Sequence, residues 1–308
     1  MTDAAMTDAT IDGRRIGLLS PRGRVLPVMV VVCAIVVLWY VLATALNWAQ
    51  VEERMSNDPL PKSVYAMVSG TWSMERPVLP APHQVLEEFW KTTFEMSPTS
   101  KRSLVYHAWI TASATMLGFA FGAILGMLLA AGIVHVRTLD RSLMPWVIAS
   151  QTVPILAIAP MIIVILGSVG MVGLVPKAII SMYLCFFPVT IGMVKGLRSP
   201  DPLQLDLMRT YSASAWQVFW KLRMPASIPF LFASMKVAIA ISLVGTIVGE
   251  LPTGANGGIG ARLLAGSYYG QTVQIWSALL MGSLLGAAMV YLMGSIERVT
   301  LRRMGAPR

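Results

Sequence analysis

Six long apolar runs alternate with polar segments along the chain. They cover residues 25–46, 104–134, 145–167, 174–194, 229–250 and 274–296. Each is about as long as the ~20 residues a helix needs to cross the hydrocarbon core of a bilayer. Lipid offers the backbone no hydrogen-bond partner, so a spanning segment must be a helix or part of a closed barrel. Barrel strands are short and alternate apolar with polar residues, and these runs do neither. The pattern predicts an all-α membrane protein with six transmembrane helices. The first run is too long for a signal-peptide core and has no small-residue cleavage site. It is expected to stay as the first span. Residues 1–24 then form a cytoplasmic tail, 25–300 the transmembrane domain and 301–308 a second cytoplasmic tail.

Two polar segments have structure of their own. Residues 47–103 form an external segment rich in proline (Pro59, Pro61, Pro77, Pro80, Pro82, Pro98). Within it, PAPHQVLEEFWKTTF predicts a short helix after a proline turn, with Val85, Leu86, Phe89 and Trp90 on one face. The loop 195–228 reads as two short helices. Asp201 is a good N-cap, Pro202 suits the first helical position, and Gln204 completes a capping-box spacing. Ser214 and Gln217 repeat that spacing. The expected helices cover about 202–211 and 215–223, with a bend near Ser212–Ser214 and a stop at Met224-Pro225. Trp216, Phe219 and Trp220 share a face of the second helix, with Lys221 and Arg223 off it. An aromatic knob with basic flanks suits an anchor in the membrane interface or a plug for a groove on another protein. Local chemistry leaves both open.

Composition agrees with a membrane chain. Of 308 residues, 56% are hydrophobic and 13% charged, with mean hydropathy +0.66; soluble domains carry about 25% charge. The net charge of +9 would suggest nucleic acid in a soluble protein, but here it fits the cationic loops that hold orientation, and no nucleic-acid partner is expected. With the N-terminus inside, inner segments carry fifteen of the 24 Lys and Arg and outer segments seven, six of them in one long loop. Both termini and the loop 195–228 are therefore placed in the cytoplasm, although Lys101 and Arg102 abut the second span on the opposite side. Cys33 and Cys185 lie inside apolar runs and read as buried small hydrophobes, not as a disulfide or metal pair. His83, His107 and His135 have no zinc spacing, so no metal site is expected.

Gly118, Gly122 and Gly126 form two overlapping GxxxG patterns, which let helices approach closely; packing within the bundle is the preferred use. Polar groups inside spans are candidates for a solute pathway. Gln151 and Thr152 precede Pro154, which with Pro160 interrupts helix hydrogen bonding, a break tolerated where backbone lines a cavity. Glu250 closes the fifth span, either as a pathway residue or as an interfacial acid facing water, and Lys236 within it is placed to snorkel to the inner surface rather than to touch substrate. The glycine-rich loop Pro252–Gly260 suits a flexible gate or docking loop. No Gly-Lys-Ser/Thr occurs, so the chain has no P-loop for ATP hydrolysis, and no catalytic residue is assigned.

The loop 195–228 resembles the EAA loop of bacterial ABC importer permeases: Glu-Ala-Ala, three residues, Gly, nine residues, Ile-x-Leu-Pro. Asp206, Leu207 and Met208 hold the Glu-Ala-Ala places, Ser212 the Gly place, Leu222 the Ile place and Met224-Pro225 the Leu-Pro places. Only Pro225 is an identity. The resemblance continues through SASAWQVFWKLRMPASIPFLFASMKVAIAISLVGTIVGE. It also takes in LPAPHQVLEEFW, QTVPILAIAPMIIVILGSVG and GELPTGANGGIGARLLAGSYYGQ, which are similar to segments of nitrate, taurine, aliphatic-sulfonate and pyrimidine-precursor permeases. It covers about residues 25–300.

The resemblance implies a type I ABC importer-like permease with cytoplasmic coupling helices, in a bacterial inner membrane. Its partners would be two ATP-binding cassette ATPase subunits, an external solute-binding protein and a second permease copy. ATP and Mg would be held by the ATPases, with no cofactor in this chain. Contact with the ATPase would fall to Asp206, Leu207, Met208, Arg209, Ser212, Ser214, Trp216, Phe219, Trp220 and Pro225. Substrate would pass at the interface of the two permease copies, near Gln151, Thr152, Pro154 and Glu250. The departures bear on the coupling loop. Ser212 lacks the freedom of glycine for a tight bend, Asp206 shortens the acid arm, and Leu207 with Met208 is bulkier than alanine. An ion-coupled transporter would want mid-membrane acid or histidine relays and inverted repeats, which the sequence does not show. A non-transporting scaffold would leave the segment Asp206–Pro225 without a purpose.

Overall fold

The computed structural model describes residues 21–56, 63–252 and 257–305. Most of the tail 1–24, together with Pro59, Pro61, residues 253–256 of the glycine-rich loop and the last three residues, lies outside the described residues. The chain divides into two compact units, Met1–Gln84 and Val85–Arg308.

In the first unit, α1 (Pro21–Ser56) carries the first apolar run and continues past its predicted end at 46. Side chains such as Val31, Ile35 and Leu38 are exposed, as suits a helix that is apolar all round and has lipid for solvent. Cys33 is exposed there, not buried, for the same reason. The extension of α1 is ordered by packing on α2 (Val64–Trp72), where Val51, Met67 and Met74 form a small core with Trp48 and Met55. Asn47, fully buried, holds the returning chain. Its Nδ2 donates to the carbonyls of Thr71 (3.3 Å) and Leu79 (2.8 Å), and its Oδ1 accepts from the N–H groups of Val78 (2.7 Å) and Leu79 (3.3 Å). Each buried polar group left unpaired costs about 1–3 kcal/mol. Asn47→Ala is therefore expected to lower the melting temperature and to speed proteolysis between residues 73 and 80.

The chain enters the second unit within α3 (Pro82–Trp90), which ends in a π turn (Lys91–Glu95). The expected single apolar face of α3 is split. Val85 is buried and Phe89 packs on Leu104, Ile259 and Ala278, while Leu86 and Trp90 are exposed. Then follow α4 (Leu104–His135), α5 (Arg137–Ala149), a 3-10 turn (Ser150–Thr152), α6 (Ile155–Ser168) and α7 (Leu174–Leu197). The rest is α8 (Pro202–Thr210), α9 (Ala215–Val218), a π turn (Phe219–Arg223), α10 (Met224–Glu250), α11 (Ile259–Tyr268) and α12 (Thr272–Arg303).

α7 is the centre of this unit, packed along its length between α4 and α10. Small residues permit both contacts. A Cβ added at Gly118 would lie 2.5 Å from the Ala178 carbonyl oxygen, one at Gly122 2.8 Å from the Cys185 Cβ, and one at Gly126 2.8 Å from the Phe186 carbonyl oxygen. On the other side of α7, Gly192 and Gly196 lie against Ser234 and Ser227 of α10, and the Ser181 and Ser242 hydroxyls bond each other. The GxxxG patterns thus pack helices within the bundle. Cys185 is in the core beside Phe119 and Val189.

Two further boundaries differ from the predicted ones. The third run, 145–167, is not one helix: α5 and α6 meet at 100°. Val153 is extended (φ −81°, ψ 121°), as a residue before proline prefers, and Pro154 has no N–H to continue the ladder. Among the described residues five helices are long and apolar enough to cross a membrane, or six if the bent pair is one span. The second difference is at Met224-Pro225, which does not stop the helix. The π turn lets the Met224 N–H reach the Phe219 carbonyl, and the wider turn accommodates the proline ring. Ala215–Glu250 is one continuous helix of 36 residues.

Candidate functional site

The segment 201–218 is built to stand clear of the bundle. Asp201 starts α8 by accepting from the Leu203 N–H (2.8 Å); Gln204 takes part only through its backbone N–H, bonded to the Asp201 carbonyl (3.0 Å), so the capping box expected there is not completed. α8 ends in a Schellman motif: the N–H of Ala213 bonds the Met208 carbonyl (3.0 Å) and that of Ser212 the Arg209 carbonyl (2.8 Å). Ser212 has φ 51°, at the position where helices usually place glycine. Ser214 then opens α9 with a full capping box, its Oγ accepting from Gln217 N (3.3 Å) and the Gln217 Oε1 from Ser214 N (2.9 Å).

A left-handed residue with a side chain costs about 1–2 kcal/mol, and glycine returns part of that gain as backbone entropy. Ser212→Gly is expected to hold or slightly raise the melting temperature. Ser212→Val, β-branched where φ is positive, is expected to lower it.

α8 buries no residue. Leu203, Leu207, Tyr211, Trp216 and Trp220 are exposed, and Met208 is half-buried. The aromatic rings meet edge to face, Trp216 against Trp220 at 5.4 Å between centroids and Trp220 against Phe219 at 5.2 Å. Asp206 pairs with Arg209 at 2.9 Å, but both are exposed, so the pair contributes little to stability. Phe219 departs from the expected shared aromatic face. It is buried in the main core, with its ring centroid 5.0 Å from that of His135 at the end of α4. Arg223 Nη1 donates to the Leu197 carbonyl (3.2 Å), and Arg198 pairs with Asp140 at 2.9 Å. An apolar, aromatic platform is thus held on a fixed base. Pro225 lies at the half-buried start of α10.

The expected pathway residues separate into two places. Gln151, Thr152 and Pro154 are exposed together at the α5–α6 break. The Thr152 hydroxyl donates to the Ala149 carbonyl (2.8 Å) and the Tyr183 hydroxyl to that of Ser150 (2.6 Å). Glu250 is fully buried at the opposite end of α10 from Phe219, so it presents no group to a passing solute here. Its carboxylate accepts from Thr111 Oγ1 (2.9 and 3.0 Å) and from the Gly260 N–H (2.9 Å), with the Lys177 ammonium 3.6 Å away. Lys177, itself buried, donates to the Gly257 carbonyl (2.7 Å). Lys236 does not reach solvent alone. It bonds Glu297 of α12 at 2.8 Å.

Residues 122–306 match the family described as binding-protein-dependent transport system inner membrane component. The chain belongs to this family. A probable ABC transporter permease of Haemophilus influenzae is 27% identical over 70% of this chain and 83% of its own. The riboflavin transport system permease protein RibX of Chloroflexus aurantiacus is 29% identical over 73% and 80%. The formylaminopyrimidine transport permease protein ThiX of Halalkalibacterium halodurans is 29% identical over 59% and 68%. Among solved structures, an inward-facing form of the MetNI methionine ABC transporter superposes with a TM-score of 0.54 at 18% identity, covering 67% of this chain and 96% of that one. The fold is that of a type I ABC importer permease. As a permease of this family, the chain is a multi-pass membrane protein and the solute-passing subunit of an ABC importer, not itself an enzyme. ATPase and binding-protein partners go with the family in general.

Sequence reasoning missed Lys177, Thr111 and His107 as a group with Glu250. Lys177, placed just inside the apolar run 174–194, was the available signal: a cation in a span must find a partner.

Proposed function

We propose that this chain, paired with a second copy in a bacterial inner membrane, imports a small organic solute by alternating access, driven by two separate ABC ATPases that hold ATP and Mg. Both termini and the segment 201–223 then face the cytoplasm, and α8–α9 is the element each ATPase grips. One observation carries the coupling role: the exposed Leu203, Leu207, Tyr211, Trp216 and Trp220 sit on two capped helices whose base is pinned by Phe219 in the core. A lipid anchor would need no such rigid base, whereas a partner moving the bundle would. Relatives named for riboflavin, formylaminopyrimidine and aliphatic sulfonates support a small organic solute brought by an external binding protein. Gln151, Thr152 and Pro154, exposed at the α5–α6 break, are the residues assigned to the pathway at the interface between copies.

Cross-linking tests the coupling role. With exposed Cys33 changed to serine and buried Cys185 kept, Leu207→Cys is expected to cross-link to the cognate ATPase in membranes. Tyr268→Cys, at an exposed position outside α8–α9, is expected not to. Labelling of the thiol introduced by Leu207→Cys with a membrane-embedded reagent, and no ATPase adduct, would overturn the reading.

A further inference from the structure

The continuous helix Ala215–Glu250 joins two features that the sequence kept apart. One end carries Trp216 and Trp220; the other carries Glu250. At 1.5 Å per residue its 36 residues span about 54 Å. Between those ends α10 meets α7 closely, with Gly192 against Ser234, Gly196 against Ser227, and Gly245 and Gly249 against Leu184 and Ile180, beside a shared apolar core that includes Val189, Met193, Leu231 and Ile239. Such a surface allows close approach, and within it the Ser181 hydroxyl bonds Ser242 across the two helices.

The densest set of directional bonds lies at the Glu250 end. Three helices and the chain entering α11 meet there. Glu250 of α10 accepts from Thr111 of α4 and from the Gly260 N–H, beside Lys177 of α7. Lys177 bonds the Gly257 carbonyl, and Thr111 Oγ1 also accepts from the Ile259 N–H (2.9 Å). His107 Nδ1 accepts from the Gly258 N–H (3.0 Å), so its proton is on Nε2, which donates to the Lys101 carbonyl (2.9 Å). Burying two charges costs more than apolar packing of the same volume. What directional bonds add is a joint that does not slide.

We propose that Lys177 and Glu250 are positioning residues of the transport cycle. They weld the far end of the Ala215–Glu250 helix to α4 and α7, so that a displacement delivered at Trp216 and Trp220 moves these helices as one body. The proposal rests on the coupling role given to α8–α9 above. Rigid-body rocking is how transporters of several folds alternate access, and it needs the driven helix to carry its neighbours with it.

The test is the number of ATP molecules hydrolysed per solute imported, measured in proteoliposomes with the full chain, its ATPase and its binding protein. Single replacements leave one charge buried and unpaired, so the informative variant is Lys177→Met with Glu250→Gln, which keeps volume and removes both charges. It is expected to insert, bind the ATPase and support hydrolysis, while ATP used per solute rises about tenfold or more. An unchanged ratio in the inserted double variant would make the pair merely structural and overturn the weld. Should the double variant not insert, Thr111→Val decides, since it removes one hydroxyl at nearly constant shape. A severalfold rise in the ratio supports the weld, and no rise overturns it. Failure of the coupling role itself looks different: the unaltered chain would then import with no ATPase present.

Discussion

Trp216→Ala with Trp220→Ala is expected to abolish measurable ATPase binding while the bundle stays folded. Both side chains are exposed, at 69% and 49%, so their removal leaves no cavity in the core. At an interface, buried tryptophans are typical hot spots worth about 2 kcal/mol or more each. Two of them correspond to an affinity loss of roughly a thousandfold, since about 1.4 kcal/mol is tenfold. Titrating the ATPase against the permease in nanodiscs reads this directly, and the melting temperature serves as the control. Phe219→Ala is a poorer probe of binding. It empties a core site and is expected to cost about 3–5 kcal/mol of stability. A double tryptophan variant that binds the ATPase with unaltered affinity would remove the platform from the coupling interface.

Gly118→Leu is expected to have the largest effect on stability. A Cβ at this position would already lie 2.5 Å from both the Ala178 carbonyl oxygen and the Ser181 Cβ. Neither can yield without moving α7, because one is backbone and the other is attached to it. Overpacking typically costs about 1–3 kcal/mol and sometimes more; a whole isobutyl group against backbone belongs at or beyond the upper end. Moving α7 also breaks the Ser181–Ser242 bond to α10, so two helix interfaces fail together. The matched control is Gly294→Leu in α12, where nothing lies within 4 Å of the added Cβ. The expected result is a sharply lower melting temperature in detergent, with aggregation on sizing, for Gly118→Leu alone. Equal stability of the two variants would contradict the packing described for α4 and α7.

The main helices and the packing use of the glycine ladder are legible in the sequence because both are written in short range. A bilayer demands about 20 apolar residues, and GxxxG puts small residues on one helix face. The caps at Asp201 and Ser214 are legible for the same reason. Proline is harder to read. Pro154 breaks its span, whereas Pro225 leaves the helix intact, because the π turn that ends at Arg223 makes room for the ring. That difference lies in backbone register, which composition does not reveal. An acid at a helix end is usually wet, so Glu250 reads from sequence as a pathway residue or a water-facing interfacial acid. Its partner Thr111 is 139 positions away in the chain, and Lys177 lies on another helix again; no local pattern links the three. Phe219 shares a periodic face with two tryptophans, yet only the fold shows that His135 closes over it.

The most direct measurement is uptake of the binding protein's solute into proteoliposomes holding this permease. With ATPase, binding protein and ATP present, solute is expected to accumulate, and ionophores that collapse ion gradients are expected to leave that accumulation intact. Uptake that follows an imposed ion gradient with no ATPase present would contradict a bundle moved by a separate motor at α8–α9.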